Sequence, residues 1–130
     1  MTHKVLIVDD NEVDRELYRL WLKGEDIDFT EADSGETALK ILKEGNDFDL
    51  IILDLNMNAM TGWEFLNHVP KYLEEFVVII SSGFVDIDMK IDLENRGATW
   101  VFDKNSIDEM LFKRTISALL KHGELHDEQS

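Results

Sequence analysis

The chain has no cysteine, so it holds neither a disulfide framework nor a thiolate that could act as nucleophile or metal ligand, and nothing argues for an oxidising compartment. Positive charge is scarce. The 13 lysines and arginines stand against 28 aspartates and glutamates, a formal net charge of −15, which opposes the phosphate backbone of a nucleic acid and favours a small protein or a cation as partner. Long apolar runs are missing too. The N-terminal run, Val5 to Val8, is far too short for a signal-peptide core or a membrane span, so a cytoplasmic protein with no membrane partner is expected. There is no internal repeat, linker or low-complexity tract, and 130 residues suit one domain with a sizeable core.

Short apolar runs are what the chain does have. "KVLIVDD" from Lys4, "DLIILD" from Asp49, "FVVIISSG" from Phe76 and "ATWVFDK" from Ala98 are continuous rather than alternating and rich in Val and Ile. Strands buried on both faces of a parallel sheet read this way. "DIDFTEA" from Asp26 is a weaker fifth candidate. Between the runs the spacing becomes helical: Val13, Leu17, Leu20 and Trp21; Ala38, Ile41 and Leu42; Phe65, Leu66 and Val69; Phe112, Ile116, Leu119 and Leu120. Ser34 is placed to cap the second helix, and Ser106 with Glu109 forms a capping-box pattern for the last.

From Val85 to Leu93 apolar residues strictly alternate with others, a strand pattern in isolation. Two parallel strands need a crossover of a dozen or so residues, however, and only this segment lies between the runs at Phe76 and Ala98. A helix with shallow packing is therefore expected. The three tryptophans read as core residues or partly exposed anchors. The fold reading is α/β: a doubly wound, five-stranded parallel sheet in three α/β/α layers, with a domain over residues 1–122 and a frayed, disordered tail over 123–130.

The run ending "DLIILD" raises the functional question, because it stops at a carboxylate, Asp54. In an open parallel sheet ligands sit beyond the C-terminal ends of the strands, where strand order reverses. Asp9 and Asp10 end the first run, Asp54 the third, Ser82 the fourth and Lys104 the fifth, so all five meet at one edge. Three carboxylates in one depression repel each other unless a cation joins them, and a hard divalent ion such as Mg2+ prefers oxygen ligands. An acidic nucleophile, a metal and the charge of Lys104 are the parts that phosphoryl transfer uses. Each residue alone also has a plain reading: Asp9, Asp10 and Asn11 as helix caps, Asp54 and Ser82 as turn residues, Lys104 as a solvated charge. Their joint occurrence at successive strand ends outweighs these.

The motifs "VLIVDDNEVDR", "LIILDLNMNAMTG", "IISSG" and "GATWVFDK" resemble those of the receiver domains of two-component response regulators, the CheY-like proteins, from residue 4 to about 122. The resemblance implies the flavodoxin-like strand order 2-1-3-4-5. It implies that Asp54 is the phosphoacceptor, that Asp9, Asp10 and Asp54 hold Mg2+ together with the backbone carbonyl of Asn56, and that Ser82 and Lys104 engage the phosphoryl group. It further implies a histidine kinase or histidine phosphotransfer protein as donor, and self-catalysed phosphotransfer and dephosphorylation in a signalling domain rather than a conventional enzyme. With no output domain after the last helix, the expectation is a stand-alone receiver acting on a downstream protein target. A homodimer through the face of the fourth helix, fifth strand and fifth helix is a further option. A haloacid-dehalogenase phosphatase would need a second acid where Asn56 stands; a non-phosphorylated pseudo-receiver used as an interaction module is the alternative. Three positions depart from the family pattern: Asn58 after Met57 and Asn105 after Lys104, both usually proline, and Val101, usually aromatic. A trans Lys104-Asn105 bond is predicted, since cis costs a non-proline residue about 2.5–4 kcal/mol.

Overall fold

The computed structural model describes residues 2–45, 47–57, 60–68 and 77–129, and for 122–129 the backbone alone. Asn58, Val69 and Phe76 lie outside the described residues. Strands and helices alternate in the order β1 (His3–Val8), α1 (Glu12–Trp21), β2 (Ile27–Ala32), α2 (Gly35–Lys43), β3 (Leu50–Asp54), α3 (Gly62–His68), β4 (Val77–Ser82), α4 (Ile87–Asn95), β5 (Trp100–Asp103) and α5 (Glu109–Gln129). All pairings are parallel and the sheet order is β2-β1-β3-β4-β5. Among the described residues no helix is long and apolar enough to cross a membrane.

Alternation along the strands splits the core into two layers. Leu6, Val8, Ile51, Leu53 and Ile80 face one side, against Ala38 and Leu42 of α2, Phe65 of α3 and Leu93 of α4. Val5, Ile7, Leu50, Ile52, Ile79 and Phe102 face the other, against Tyr18 and Leu22 from α1 and its end and Phe112 and Ile116 of α5. Each such apolar side chain contributes about 1.5–3 kcal/mol through burial, which is why the central strands have no polar face.

Several local expectations are corrected. Of the stripe Val13, Leu17, Leu20 and Trp21, helix α1 packs Trp21 against the core but leaves Val13 and Leu20 69% and 60% exposed, and the buried residues are Tyr18 and, just past the helix, Leu22. A tyrosine whose hydroxyl finds a partner can face inward, so the inward stripe runs through Asp14, Tyr18, Trp21 and Leu22. The last helix is capped by Asp108, whose Oδ1 accepts the Leu111 N–H at 2.7 Å, because residues 104–106 form a turn in which the Ser106 N–H donates to the Asp103 carbonyl. The capping box at Ser106 does not form. The backbone of α5 continues helical to Gln129. No proline interrupts it, and Gly123 costs only about 1 kcal/mol of helix propensity.

Other caps agree with the sequence. Asn11 Oδ1 accepts from Val13 and Asp14, and Ser34 Oγ from Thr37. The alternating segment is indeed a helix, capped by Asp86 Oδ1 on the Met89 N–H at 2.9 Å. Ile87 and Ile91 point outward while Leu93 is buried, so alternation here reflects a helix held by one row of residues.

One glycine is sterically required. A Cβ on Gly62 would lie 2.5 Å from the Asp54 carbonyl oxygen and 2.7 Å from the Leu55 Cα, and the Gly62 N–H donates to the Leu55 carbonyl at 3.0 Å. This contact folds the loop after β3 back onto the end of that strand. Gly62→Ala should therefore lower unfolding free energy by about 2 kcal/mol or more, as overpacking against backbone does. Gly83→Ala, whose Cβ meets nothing within 4 Å, should stay within about 0.5 kcal/mol. Urea denaturation of the two variants distinguishes them; equal stabilities would remove the steric role of Gly62.

Candidate functional site

Three loops meet at the carboxyl edge of the sheet. Continuing the strand alternation, Asp9, Asp54 and Lys104 emerge on the α1/α5 side, whereas Ser82 follows Ile80 toward α3 and α4. Oxygens of Asp9, Asp10 and Asp54, one from each, lie within 4.8 Å of one another. Asp9 and Asp54 are almost wholly buried, at 1% and 4% exposure, and Asp10 is exposed.

The surrounding contacts hold the carboxylates in place. Asp9 Oδ1 accepts the Asn11 N–H at 2.9 Å, and Arg15 Nη1 donates to the Asp9 carbonyl at 2.6 Å while its Nε pairs with Glu31 on β2 at 3.0 Å. Asp54 Oδ1 accepts the Asn56 N–H at 3.2 Å. Lys104 Nζ lies 3.4 Å from Asp54 Oδ1, 3.3 Å from Asp9 Oδ2 and 3.0 Å from Asp14 Oδ2. Thus Asp9, Asp10, Asp54 and Lys104, all singled out in the sequence, are brought together.

Ser82 stands apart from this group. Its hydroxyl donates to the Phe84 carbonyl at 3.1 Å and accepts the Phe84 N–H at 3.4 Å, so it is engaged by the loop after β4. The residue beside Asp54 in the sheet register is Ser81. Its Oγ is bonded to the Tyr18 hydroxyl at 2.8 Å, and the Tyr18 ring stacks on Phe112 at 5.2 Å. Burial, chiefly, pushes the Tyr18 phenol up to about 12, so it is a neutral floor beneath the charged groups. Ser81, Tyr18 and Asp14 were missed in the sequence because each reads as an ordinary strand or helix residue. Only the inward rotation of α1 brings Tyr18 and Asp14 to the site.

The electrostatics are strained at Asp9. Its carboxyl is pushed up to about 6, first by burial, which the Asn11 N–H partly offsets; the charge of Asp54 raises it further and Lys104 opposes that. Two carboxylates about 5 Å apart repel by roughly 3 kcal/mol at an effective dielectric of about 20. Lys104 is driven the other way. Burial alone would favour its neutral form, but the charge that Tyr18 gains only when its phenol ionises in strong base, and the carboxylates of Asp14, Asp9 and Asp54 at ordinary pH, hold its ammonium above the ordinary range. One ammonium serves several carboxylates, so the donor set still suits a hard divalent cation, which accepts two or three carboxylate oxygens and fills its remaining positions with water.

Asn105 shows what replaces proline after Lys104. The bond is trans, there being no cis peptide among the described residues. The Asn105 N–H donates to Asp103 Oδ1 at 2.9 Å and its Nδ2 to the Gly83 carbonyl at 2.7 Å. Proline could make neither bond, and the second ties the loop carrying Lys104 to the loop that follows Ser82.

The response regulator receiver domain matches residues 5–116. The chemotaxis protein CheY of Pseudomonas aeruginosa is 45% identical over 99 residues, covering 72% of this chain and 77% of that protein. The autoinducer 1 sensor kinase/phosphatase LuxN of Vibrio campbellii is 33% identical over 79 residues, which are 61% of this chain and 9% of LuxN. The chain thus spans a small part of the sensor kinases that it matches. Among solved structures, a signal receiver domain from Vibrio parahaemolyticus superposes with a TM-score of 0.89 at 27% identity, over 100% of this chain and 98% of that one. The chemotaxis protein CheY4 of Vibrio cholerae does so with a TM-score of 0.80 at 26% identity, over 92% and 99%.

The raised Asp9 carboxyl has a signed consequence. With its folded value above the unfolded one, Asp9 favours the folded state fully below about pH 4 and loses that contribution as pH rises through about 6. In chelator, Asp9→Asn should therefore raise the melting temperature near pH 8 and raise it much less near pH 4. A gain that is the same at both pH values would contradict the charge conflict.

Proposed function

Because the chain belongs to the response regulator receiver family, we propose that Asp54 accepts a phosphoryl group from the phosphohistidine of a histidine kinase or histidine phosphotransfer protein, and that the product signals through protein contact. The observation that carries this reading is the nearly buried Asp54 carboxylate lying within 3.4 Å of the Lys104 ammonium and beside Asp9 and Asp10. Asp9, Asp10 and Asp54, with the Asn56 carbonyl, would hold Mg2+. Bound there, Mg2+ supplies charge neutralisation for the phosphoryl oxygens and for the carboxylates themselves.

In the forward step an Asp54 oxygen attacks phosphorus, the bond from phosphorus to the donor's imidazole nitrogen breaks, and that nitrogen keeps the electron pair. The loop contacts that fix Asp54 keep the attacking oxygen aligned, which is most of what catalysis of this transfer requires. Lys104 pairs with a phosphoryl oxygen, and Ser82 exchanges its bond to the Phe84 carbonyl for one to the phosphoryl group. Water later attacks phosphorus, breaking its bond to Asp54 and releasing inorganic phosphate with the carboxylate restored.

Two features favour output by protein contact. Phe84, Ile87 and Ile91, leading into and along α4, are 66%, 73% and 52% exposed, and Trp100 on β5 is 46% exposed, apolar side chains on which a downstream protein, or a second copy of the chain, can dock. Ser82 leads directly into this segment through Phe84. Val101 packs partly against the layer formed with α2, α3 and α4 and has no ring to swing, so the response to Ser82 falls on α4.

Phosphorylation is tested by incubation with acetyl phosphate and peptide mapping by mass spectrometry. Label at Asp54 that requires Mg2+ and is lost with EDTA or in Asp54→Asn is the expected result; undiminished labelling of that variant contradicts it. Hydrogen exchange provides a second test. Beryllofluoride should change protection across residues 83–96, with Ser82→Ala blunting the change. Equal protection in both states would exclude α4 as the moving element.

A further inference from the structure

One contact of Lys104 is not used by the proposed chemistry. The shortest of its three carboxylate contacts is to Asp14, at 3.0 Å, against 3.3 Å to Asp9 and 3.4 Å to Asp54. Asp14 lies one helical turn before Tyr18 on the inward stripe of α1, so its carboxylate overhangs the carboxyl edge of the sheet. An ammonium has three N–H donors, and three carboxylates surround this one. A phosphoryl oxygen on Asp54 needs a share of that charge. Asp9 lies at the buried floor and is a candidate metal ligand, whereas the Asp14 side chain is 30% exposed at the rim. The contact most readily given up is the outer one.

We propose that Asp14 is a positioning residue that tethers the Lys104 ammonium at the rim of the site in competition with Asp54, so that the strength of this pair sets how readily Lys104 transfers to a phosphoryl group. The second half of this inference rests on the reading of Asp54 as acceptor; the tether itself does not. Two partly exposed groups form a modest pair, so the expected effect is about fivefold rather than orders of magnitude. Asp14 also adds a negative charge near the path of an incoming phosphate. That effect is independent of Lys104 and has to be separated from the tether.

Two measurements test the proposal. In the metal-free, unphosphorylated protein, the Lys104 ammonium is followed by nitrogen-15 NMR: Asp14→Asn and Asp14→Ala should speed its exchange with water and move its resonance. An unchanged signal in both overturns the tether, whatever happens at Asp54. Binding of beryllofluoride with Mg2+ is then measured in a double-mutant cycle, Asp14→Asn against Lys104→Met. Affinity rising about fivefold only when Lys104 is present supports the proposal. An equal gain in both backgrounds assigns Asp14 to simple repulsion and overturns it, as does no gain or a loss. Failure of the unsubstituted chain to bind beryllofluoride overturns the acceptor reading and the coupling to Asp54, while the ammonium signal still decides the tether.

Discussion

Mutual repulsion of carboxylates at the ends of buried strands is the constraint to which the rest of this structure responds. β1 and β3 are neighbours in the sheet, and both deliver acids to its carboxyl edge, Asp9 and Asp10 from the loop after β1 and Asp54 at the end of β3. Burial of Asp9 and Asp54 brings their charges close in a poorly solvated place, and the raised Asp9 carboxyl is the direct sign of that cost. Strong hydrophobic pairing of Val5 to Val8 with Leu50 to Leu53 offsets it, holding the strand ends in register with an unfavourable cluster above them.

Each neighbouring element limits the repulsion in its own way. α1 contributes an N-cap at Asn11, an Arg15 side chain that bridges the Asp9 carbonyl to Glu31, and a neutral Tyr18 beneath the cluster. β5 contributes the cation, and Asn105 anchors its loop to Gly83. The loop after β3 turns back tightly enough that only glycine fits at position 62. Positive charge is still short: Lys104 is shared among Asp9, Asp14 and Asp54 and neutralises at most one of them. In the proposed reading a divalent cation makes up this deficit, and the position of one lysine side chain matters.

Much of this was legible in the sequence where burial is complete. Three of the four strong apolar runs became the buried central strands β1, β3 and β4, the fourth became the partly exposed edge strand β5, and the acids and lysine at their ends converge as the topology requires. Legibility fell where side chains are amphipathic. Tyr18 is inward and Val13 outward, the reverse of a ranking by hydropathy, because a buried hydroxyl with a partner costs little while an exposed valine costs little as well. That inversion hid Asp14. Likewise, Asp108 displaces Ser106 as the cap because the turn after β5 occupies residues 104–106, a tertiary demand that local pattern does not contain. The alternating segment from Val85 was decided by the length of a parallel crossover rather than by its own residues.

The central claim is that a divalent cation relieves the carboxylate conflict at this edge. Carbon-13 NMR of the aspartate carboxyl groups during titration of the unphosphorylated protein with Mg2+ tests it most directly. The account predicts saturable shifts at Asp9, Asp10 and Asp54, with the Asp9 titration moving down from about 6 as the metal binds. Carboxyl signals that ignore millimolar Mg2+, with Asp9 still titrating near 6, would contradict it.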